Sequence, residues 1–467
     1  MAELACDVAI IGAGTAGLAA ERAARAQGAK TLLIDEAFAG TTCATVGCMP
    51  SKLLIAAANA AHDARHATVF GIEAAPQVDG VAVMKRLRAV RDSFVKSVRE
   101  QFDAIPHVVA IKGRARLDGA ERLLLEDGST ITARAIVIAP GASPSIPDFL
   151  TRVSHAVLTN ETLFELDDLP ASIGVIGAGP LGLELAQALS RLGVEVAVFD
   201  EGDSLAGLDD PDVAASLQGC LEREFDIHLG VRLRAEPDGK RIALSWTGKS
   251  KGSASFDYVL AAAGRPPRID NLGLDITGLA LDDHGAPTLD PATMQCGDKP
   301  IFMAGDVDHG RPVLHEAQAE GTIAGRNAAR YPKVERAGRM APLSIMFTSP
   351  AMARVGEVPK DARTVVGSAS YDDQGRAKVF ATNRGCVKIY ADARTGRLLA
   401  ATMVGPAVEH SAHLLAWAIQ QGLSADEILA RPFYHLAYEE GLKPALRAIC
   451  DALGNASDRD DGFMPGS

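Results

Sequence analysis

Residues 7–17 of the chain read DVAIIGAGTAG, an apolar run that leads into glycines spaced as G-x-G-x-x-G. These glycines are Gly12, Gly14 and Gly17. An alanine-rich stretch and a second apolar run follow, and that run ends in Asp35. The order predicts a strand, a tight turn, a helix and a second strand. In such a unit the first glycine permits the turn, the second lets the backbone approach a pyrophosphate, and the third lets helix and strand pack closely.

The same pattern returns at residues 172–182, which read SIGVIGAGPLG. Its glycines are Gly177, Gly179 and Gly182. In both copies the first glycine lies 23 residues before the acid that ends the second strand, Asp35 or Asp200. A carboxylate there accepts hydrogen bonds from a ribose diol, while free N–H groups at the helix start bind phosphates. The repeat predicts two dinucleotide-binding units, and the alternative is a structural glycine turn with a capping acid.

The acids that end the second copy indicate which dinucleotide it binds. Asp200 and Glu201 follow the strand directly, and no lysine or arginine lies between Phe199 and Gly207. Two carboxylates accept the ribose hydroxyls of NAD and repel the 2′-phosphate of NADP. The sequence therefore favours NAD over NADP.

Three further apolar strands, over residues 135–139, 258–263 and 301–304, lead into glycine. Such strand ends are typical of the carboxyl edge of an open parallel sheet, where ligands bind. After about residue 336 the pattern changes to strands joined by a short turn and then to helical stretches, which predicts a separate α+β domain. The polar residues from about 455 onward are expected to form a frayed tail.

Composition excludes several classes of function. The 467 residues suffice for about three domains. The 59 acidic residues outnumber the 47 basic ones and give a net charge of −12, which disfavours nucleic acid as a partner. No apolar run approaches the roughly 18 residues of a membrane-spanning helix, and the acidic N-terminus is unlike a signal peptide. We therefore expect a cytoplasmic protein with no membrane partner.

Of the seven cysteines, Cys43 and Cys48 stand close together, in the block GTTCATVGCMPSK at 40–52. In a reducing compartment a close pair is more often catalytic or metal-binding than structural. Four intervening residues bring the sulfurs together only if the chain bends, and Pro50 suits an early helical position just beyond. A thiol at a helix N-terminus has a lowered pKa and is nucleophilic. The alternative is a pair of buried, inert cysteines.

This block, with Lys52 at its end, resembles the signature of the pyridine nucleotide–disulfide oxidoreductases, and the resemblance extends over residues 7 to about 452. Within that family the chain is most similar to the dihydrolipoamide dehydrogenases. The resemblance implies an α/β, glutathione-reductase-like fold with two Rossmann-like dinucleotide-binding domains and a C-terminal α+β dimerisation domain. It also implies FAD in the first unit, NAD in the second, a redox disulfide between the two cysteines, and a homodimer.

The domain boundaries follow from that resemblance. The FAD-binding domain is expected over residues 1–149 and, after an interruption, over 265–335. The NAD-binding domain is expected over 150–264, and the dimerisation domain over 336–467.

The resemblance also implies roles for individual residues near the cysteines. Cys48 matches the thiol next to the flavin, and Cys43 matches the interchange thiol that meets the substrate. Lys52 matches the lysine near the flavin N5 edge, and Glu184 matches its glutamate partner beside the nicotinamide. A buried lysine–glutamate pair is physically sensible, because each charge offsets the desolvation of the other.

Residues 433–440, FYHLAYEE, carry the expected base. His435 and Glu440 match the spacing of the family's catalytic histidine and its orienting glutamate. A substrate thiol must lose a proton, and a carboxylate on the other ring nitrogen fixes the imidazole tautomer. In the family this histidine comes from the partner subunit, so the homodimer forms part of the active site. Without the resemblance, a lone histidine here would indicate a structural residue.

The residues expected to contact FAD are Gly12, Gly14, Gly17, Asp35, Thr42, Lys52, Gly113, Gly141, Asp306 and Ala317, with Asp306 on the ribityl chain. The residues expected to contact NAD are Gly177, Gly179, Gly182, Glu184, Asp200 and Gly264. No metal site is expected.

The implied reaction converts dihydrolipoamide and NAD⁺ to lipoamide and NADH, with a small dithiol or a lipoyl group on another protein as the partner. One alternative is an NADH-dependent reductase of another small disulfide, and a second is a non-enzymatic flavoprotein scaffold. The departures from the family pattern are Thr41, Pro140, Ala351 and the Leu436–Ala437 pair after the expected base. None removes a reacting group, but the last alters the wall of the disulfide pocket and leaves the substrate open.

Overall fold

The computed structural model describes residues 2–454. The strands are β1 (Glu3–Ile11), β2 (Thr31–Asp35), β3 (Ala110–Lys112), β4 (Ala115–Leu117), β5 (Arg122–Leu125), β6 (Thr130–Ile138), β7 (Val157–Leu158), β8 (Ser172–Ile176), β9 (Glu195–Phe199), β10 (Asp226–His228), β11 (Val231–Asp238), β12 (Arg241–Gly248), β13 (Gly252–Phe256), β14 (Tyr258–Ala261), β15 (Leu289–Asp290), β16 (Gln295–Cys296), β17 (Ile301–Met303), β18 (Leu343–Met346), β19 (Ala351–Gly356), β20 (Thr364–Ser370), β21 (Cys386–Asp392) and β22 (Leu398–Gly405). The α-helices are α1 (Thr15–Ala26), α2 (Thr42–Thr45), α3 (Cys48–His66), α4 (Gly80–Asp103), α5 (Pro180–Arg191), α6 (Pro211–Leu221), α7 (Leu314–Arg330), α8 (Gly375–Val379), α9 (Val408–Gln420), α10 (Ala425–Leu429) and α11 (Lys443–Ala452).

The first glycine unit lies in a nine-stranded sheet whose main strand order is β15-β16-β17-β6-β1-β2-β3. Strand β1 lies parallel between β2 and β6, and β17 is parallel to β6. The β4–β5 hairpin joins this sheet through β5. The strand before Gly305 therefore returns to the sheet of the first unit, as expected, and brings its carboxyl end to the same edge as those of β1 and β6.

The second glycine unit forms a parallel sheet ordered β10-β9-β8-β14-β7. A three-stranded antiparallel sheet, β11-β12-β13, packs against it. At the contact, a Cβ atom on Gly174 of β8 would lie 2.9 Å from the side chain of Leu244. The sequence-based interpretation missed this small sheet, although alternating residues of β12 are buried.

The C-terminal region is an antiparallel sheet ordered β18-β19-β22-β21-β20. Helices α9 and α11 pack against this sheet and share its hydrophobic core. Together they confirm the predicted α+β domain. The α/β class of the whole chain, with two glycine-turn sheets and a distinct C-terminal domain, is likewise confirmed.

Helices α1 and α7 make unusually close contact in the first unit. A Cβ atom on Gly321 would lie 2.1 Å from the Ala16 carbonyl oxygen, and one on Gly325 would lie 2.1 Å from the Ala20 carbonyl oxygen. Only glycine leaves room for the backbone of α1 at these points. This contact joins the late segment of the unit to its beginning.

Helix α3 begins at Cys48 and continues for 19 residues to His66. Pro50 is its third residue, which confirms the early helical position predicted for it. Within residues 2–454, no helix combines the length and the apolar content needed to cross a bilayer.

Candidate active site

The three glycines of the first turn have different surroundings. A Cβ atom on Gly12 would lie 2.3 Å from the Ala139 carbonyl oxygen, and one on Gly17 would lie 1.8 Å from the Gly12 carbonyl oxygen. A Cβ atom on Gly14 would meet no protein atom within 4 Å. The turn is therefore closed at its first and third glycines and open at its second, which is the arrangement a pyrophosphate needs.

The second turn repeats this division of roles. A Cβ atom on Gly177 would lie 2.4 Å from the Ala262 carbonyl oxygen, and one on Gly182 would lie 2.1 Å from the Gly177 carbonyl oxygen. Open space surrounds Gly179, and also Gly264, which follows β14 with a φ of +111°. Both halves of the chain thus present an open backbone surface at the start of a helix, where N–H groups can bind phosphate.

The acids that end β2 and β9 support these turns. Asp35 accepts a hydrogen bond from the Ala13 N–H at 2.9 Å, and Asp200 accepts one from the Ala178 N–H at 2.6 Å. The second oxygen of each carboxylate accepts further backbone N–H groups just beyond its strand. A carboxylate offers about four lone-pair sites, so bracing the turn leaves capacity for a ribose hydroxyl.

A cleft of about 770 Å³ runs along the first turn, with Gly12, Asp35 and Gly113 among its lining residues. This volume lies within the range of cofactor sites. Gly113 and Gly141 have φ values of +155° and +76°, and a Cβ atom on either would point into open space. The open backbone at these strand ends fits FAD.

The remaining residues expected at FAD lie on three other elements. Thr42 begins α2, and Asp306 begins a short turn after β17. Ala317 lies on α7, where its Cβ would be 3.7 Å from a Cβ on Gly305. Asp306 and Ala317 therefore lie beside the same turn.

The cysteine pair lies where α2 ends and α3 begins, and Cys48 is the first residue of α3. Both residues are free thiols, and they form a hydrogen-bonded pair. The hydrogen bond from Cys43 lowers the pKa of Cys48 to about 6, while burial opposes this shift and the Lys52 charge assists it. The hydrogen bond with Cys48 and burial raise the pKa of Cys43. In the reduced pair, Cys48 is therefore the more acidic thiol and Cys43 the less acidic one.

Lys52 and Glu184 form an ion pair that joins α3 to α5. The Lys52 Nζ lies 2.6 Å from Glu184 Oε2, and the glutamate side chain is only 5% exposed. The other glutamate oxygen accepts the Phe347 N–H at 2.7 Å, and the Phe347 ring lies 4.8 Å from the lysine nitrogen. The carboxylate is held on both sides, which fixes the position of the lysine beside Cys48.

His435 and Glu440 lie close together in the C-terminal domain. The His435 Nδ1 is 3.4 Å from the carboxylate of Glu440, whose second oxygen accepts the Ala437 N–H at 3.0 Å. The histidine side chain is 70% exposed, whereas that of Glu440 is 7% exposed. A buried carboxylate thus orients an imidazole that faces outward.

The structure does not bring this histidine to the thiols of its own chain. Among the described residues, no hydrogen bond or ion pair joins His435 or Glu440 to Cys43, Cys48 or Lys52. An outward-facing base agrees with an active site completed by a second subunit.

Sequence reasoning missed a buried network behind the Lys52–Glu184 pair. Gln187, on the same face of α5, accepts the Ser349 N–H at 2.7 Å and donates to the Ser349 carbonyl at 2.9 Å. Arg191, one turn further along, donates to Glu224 at 2.6 Å and to the same carbonyl at 3.0 Å. These contacts fasten α5 to the C-terminal domain. Neither residue belongs to a motif, so no sequence signal indicated them.

Comparisons with known proteins agree with this geometry. A family model described as pyridine nucleotide-disulphide oxidoreductase matches residues 6–321, and the dimerisation domain of the same family matches residues 343–446. Dihydrolipoyl dehydrogenase of Bacillus subtilis is 32% identical over 414 residues, which cover 86% of this chain and 89% of the relative. Mercuric reductase of Streptomyces lividans is also 32% identical, over an alignment of 474 residues that covers 97% of this chain and 98% of the relative.

Solved structures show the same fold. LpdA of Mycobacterium tuberculosis is 24% identical with a TM-score of 0.78, covering 96% of this chain and 99% of that one. The HOCl-induced flavoprotein disulfide reductase RclA of Escherichia coli is 22% identical with a TM-score of 0.79, covering 94% of this chain and 99% of that one. The chain therefore belongs to the pyridine nucleotide-disulphide oxidoreductase family, whose enzymes depend on FAD and NAD(P).

Proposed function

We propose that the protein is a homodimeric dihydrolipoamide dehydrogenase, which converts dihydrolipoamide and NAD⁺ to lipoamide and NADH through a Cys43–Cys48 redox disulfide. The observation that carries this proposal is the pair of free thiols at the start of α3, on the helix that also carries Lys52 of the Lys52–Glu184 ion pair. Cys43 and the Lys52 charge lower the pKa of Cys48, and a thiol with a lowered pKa is a good leaving group in thiol–disulfide exchange. Relatives such as the dihydrolipoyl dehydrogenase of Bacillus subtilis supply the choice of substrate.

The exchange begins when one substrate thiol loses its proton to water and the resulting thiolate attacks the Cys43 sulfur of the oxidised pair. A substrate–Cys43 disulfide forms, the Cys43–Cys48 bond breaks, and its electron pair stays on Cys48. The second substrate thiol gives its proton to His435 and attacks the substrate sulfur of the mixed disulfide. Lipoamide leaves, and Cys43 takes the proton back from His435. When bound, FAD supplies the two-electron transfer between this dithiol and the nicotinamide.

Lys52 and Glu184 adjust the charge around Cys48. The lysine charge favours the Cys48 thiolate, and the glutamate moderates that effect. Because Glu184 is nearly buried and bound by both Lys52 and the Phe347 N–H, the ion pair keeps one geometry during turnover. The pair thus stabilises the negative sulfur without leaving an unpaired charge in the site.

His435 serves as the base for the disulfide of the partner subunit in this proposal. An imidazole accepts a proton near neutral pH, and Glu440 supports the cation that results. The high exposure of His435 in a single chain supports a role at a subunit boundary. The matched dimerisation domain, which contains both residues, supports the same assignment.

NAD rather than NADP is the proposed nicotinamide substrate. Asp200 lies at the end of β9, and Glu201 follows it in an exposed position. Two cations of the described residues reach this loop, and both have partners: the Lys249 Nζ lies 2.9 Å from the carboxylate of Asp203, and Arg354 donates to the Ala206 and Gly207 carbonyls. The loop therefore presents carboxylates to the ribose, which favours a free 2′-hydroxyl over a phosphate.

A second candidate is an NADH-dependent reductase of another small disulfide. The residues that follow the base favour this candidate, because Leu436 and Ala437 stand where the family usually has proline and threonine. Their carbonyl groups accept hydrogen bonds from Arg376 at 3.1 Å and from Gln374 at 2.7 Å. The backbone beside the base is therefore held in place by hydrogen bonds, and its side chains differ from the usual ones.

Steady-state reduction of NAD⁺ by dihydrolipoamide tests the proposal. We expect turnover with NAD⁺ and little with NADP⁺, and we expect His435→Ala or Cys43→Ser to abolish it. The matched controls are His410→Ala, whose exposed imidazole lies elsewhere on the surface, and Cys220→Ser on α6. Both should keep full activity. Negligible turnover by an FAD-replete dimer would reject dihydrolipoamide and leave the second candidate.

A further inference from the structure

Two glutamates on α7 and two arginines outside it form a buried cluster near the FAD-binding unit. Glu316 and Glu320 are each 1% exposed. Arg339 Nη2 donates to Glu316 at 2.8 Å and to Glu320 at 2.6 Å. Arg311 donates to Glu316 at 3.1 Å. Hydrogen bonds between opposite charges in such a buried place are strong and directional.

Only one of the two glutamates reaches the turn after β17. Glu320 Oε2 accepts the Gly305 N–H at 2.9 Å. Gly305 has a φ of +85°, and a Cβ atom on it would lie 2.8 Å from the Cβ of Ala16. A side chain at this position would collide with α1, and the backbone of the turn is held by its hydrogen bond to Glu320. Asp306 follows directly and takes its position from this turn.

Arg339 keeps Glu320 suited to this task. Burial and the nearby Asp308 raise the pKa of Glu320 to about 7, and Arg339 opposes that rise. The carboxyl group thus already titrates near neutral pH, and loss of the arginine would raise its pKa further, so that the protonated form, which is a poorer acceptor, would predominate. Arg339 lies between α7 and β18, on the segment that leads into the dimerisation domain.

We propose that Arg339 is a positioning residue for FAD: it holds Glu320 as the acceptor for the Gly305 N–H and thereby fixes the turn that presents Asp306 to the cofactor. The inference rests on the proposed assignment of this turn to FAD. Arg339 acts through Glu320, since none of its hydrogen bonds goes to Gly305 or Asp306.

Release of FAD from the diluted holoenzyme, followed by flavin fluorescence, tests the proposal without any turnover. We expect Arg339→Met to raise the dissociation constant for FAD by about tenfold or more, and Arg339→Lys to restore most of the affinity. The matched control is Arg336→Met, from the same segment, whose side chain is 72% exposed and pairs with Asp290. That variant should bind FAD like the wild type.

A second variant distinguishes a loss of FAD affinity from a failure of the protein to fold. Arg339→Met leaves two buried carboxylates without a shared cation, so we combine it with Glu316→Gln, which removes the glutamate that does not touch Gly305. The double variant should show the same loss of FAD affinity, with a far-UV circular dichroism spectrum and a dimer mass equal to those of the wild type.

An Asp306→Ala variant separates the two assumptions. If Asp306→Ala weakens FAD binding and both Arg339→Met variants bind FAD normally, the positioning role of Arg339 is wrong although the turn contacts FAD. If Asp306→Ala itself binds FAD normally, the assignment of the turn is wrong and the inference fails with it. Weak binding in all three, with rescue by Arg339→Lys, supports the proposal.

Discussion

The substitution Gly179→Ala places a methyl group in the open space of the second glycine turn. At Gly179 the backbone has a φ of −75° and a ψ of 174°, an extended conformation that alanine adopts readily. The new Cβ would meet no protein atom within 4 Å. Glycine is clearly better than alanine at a helix N-cap, so we expect a loss of roughly 0.5–1 kcal/mol of stability. The fold should hardly change.

NADH binding should change far more than stability. The methyl group occupies the space through which a pyrophosphate approaches the backbone N–H groups. Losing one hydrogen bond to a charged group costs about 1.5–3 kcal/mol, which corresponds to roughly 10- to 150-fold weaker binding. A titration that follows the fluorescence of NADH gives this affinity directly, and thermal unfolding of the same sample gives the stability.

Two other glycines serve as controls for this experiment. Gly219 lies in the last turn of α6, and a Cβ atom there also meets open space, so Gly219→Ala should leave NADH binding unchanged. Gly182→Ala would place a Cβ 2.1 Å from a backbone oxygen and should lower the unfolding temperature or prevent folding. Wild-type NADH affinity in Gly179→Ala would refute the division of roles among the glycines.

Two further substitutions test the charges around the site. Lys52→Met should raise the pKa of Cys48 above its value of about 6, because it removes a charge that favours the thiolate. The thiolate is the form that reacts and is the form present above that pKa. Alkylation of reduced Cys48 should therefore slow several-fold at pH 6 and stay unchanged at pH 9. Lys96→Met, which removes an exposed lysine, is the control. Arg191→Met should destabilise the fold by about 3–5 kcal/mol, since it leaves Glu224 without its buried partner, and thermal unfolding measures this loss. An unchanged unfolding temperature would contradict that estimate.

The parts of the fold that depend on residues close together in the sequence could be predicted from it. Each glycine turn lies between its own strand and helix. Residues 7–35 and 172–200 therefore each contain the whole pattern from which a strand–turn–helix–strand unit is predicted. The return of β17 to the first sheet followed from family resemblance rather than from any local pattern. The sheet β11-β12-β13 is not among the predicted elements, although the alternation of buried residues in β12 is typical of a strand with one buried face.

The site was predictable only where side chains form a motif. The thiol pair, Lys52 and Glu184 stand in recognisable blocks, and the structure places the last two 2.6 Å apart. The Phe347 N–H that completes the carboxylate's contacts is a backbone group 163 residues away from Glu184. Every residue but proline has a backbone N–H, so the sequence does not indicate which of these groups will donate to the Glu184 carboxylate.

The order of strands in the first sheet has a consequence for how the chain is made. Strand β6 is complete at Ile138, but its neighbour β17 ends only at Met303. At about 5–20 residues per second, a ribosome needs roughly 8–33 s to synthesise the intervening chain. During that time one edge of β6 has unpaired N–H and C=O groups that can pair with another nascent chain. The second glycine unit can finish folding in this interval, whereas the first must wait until β17 and α7 have been synthesised.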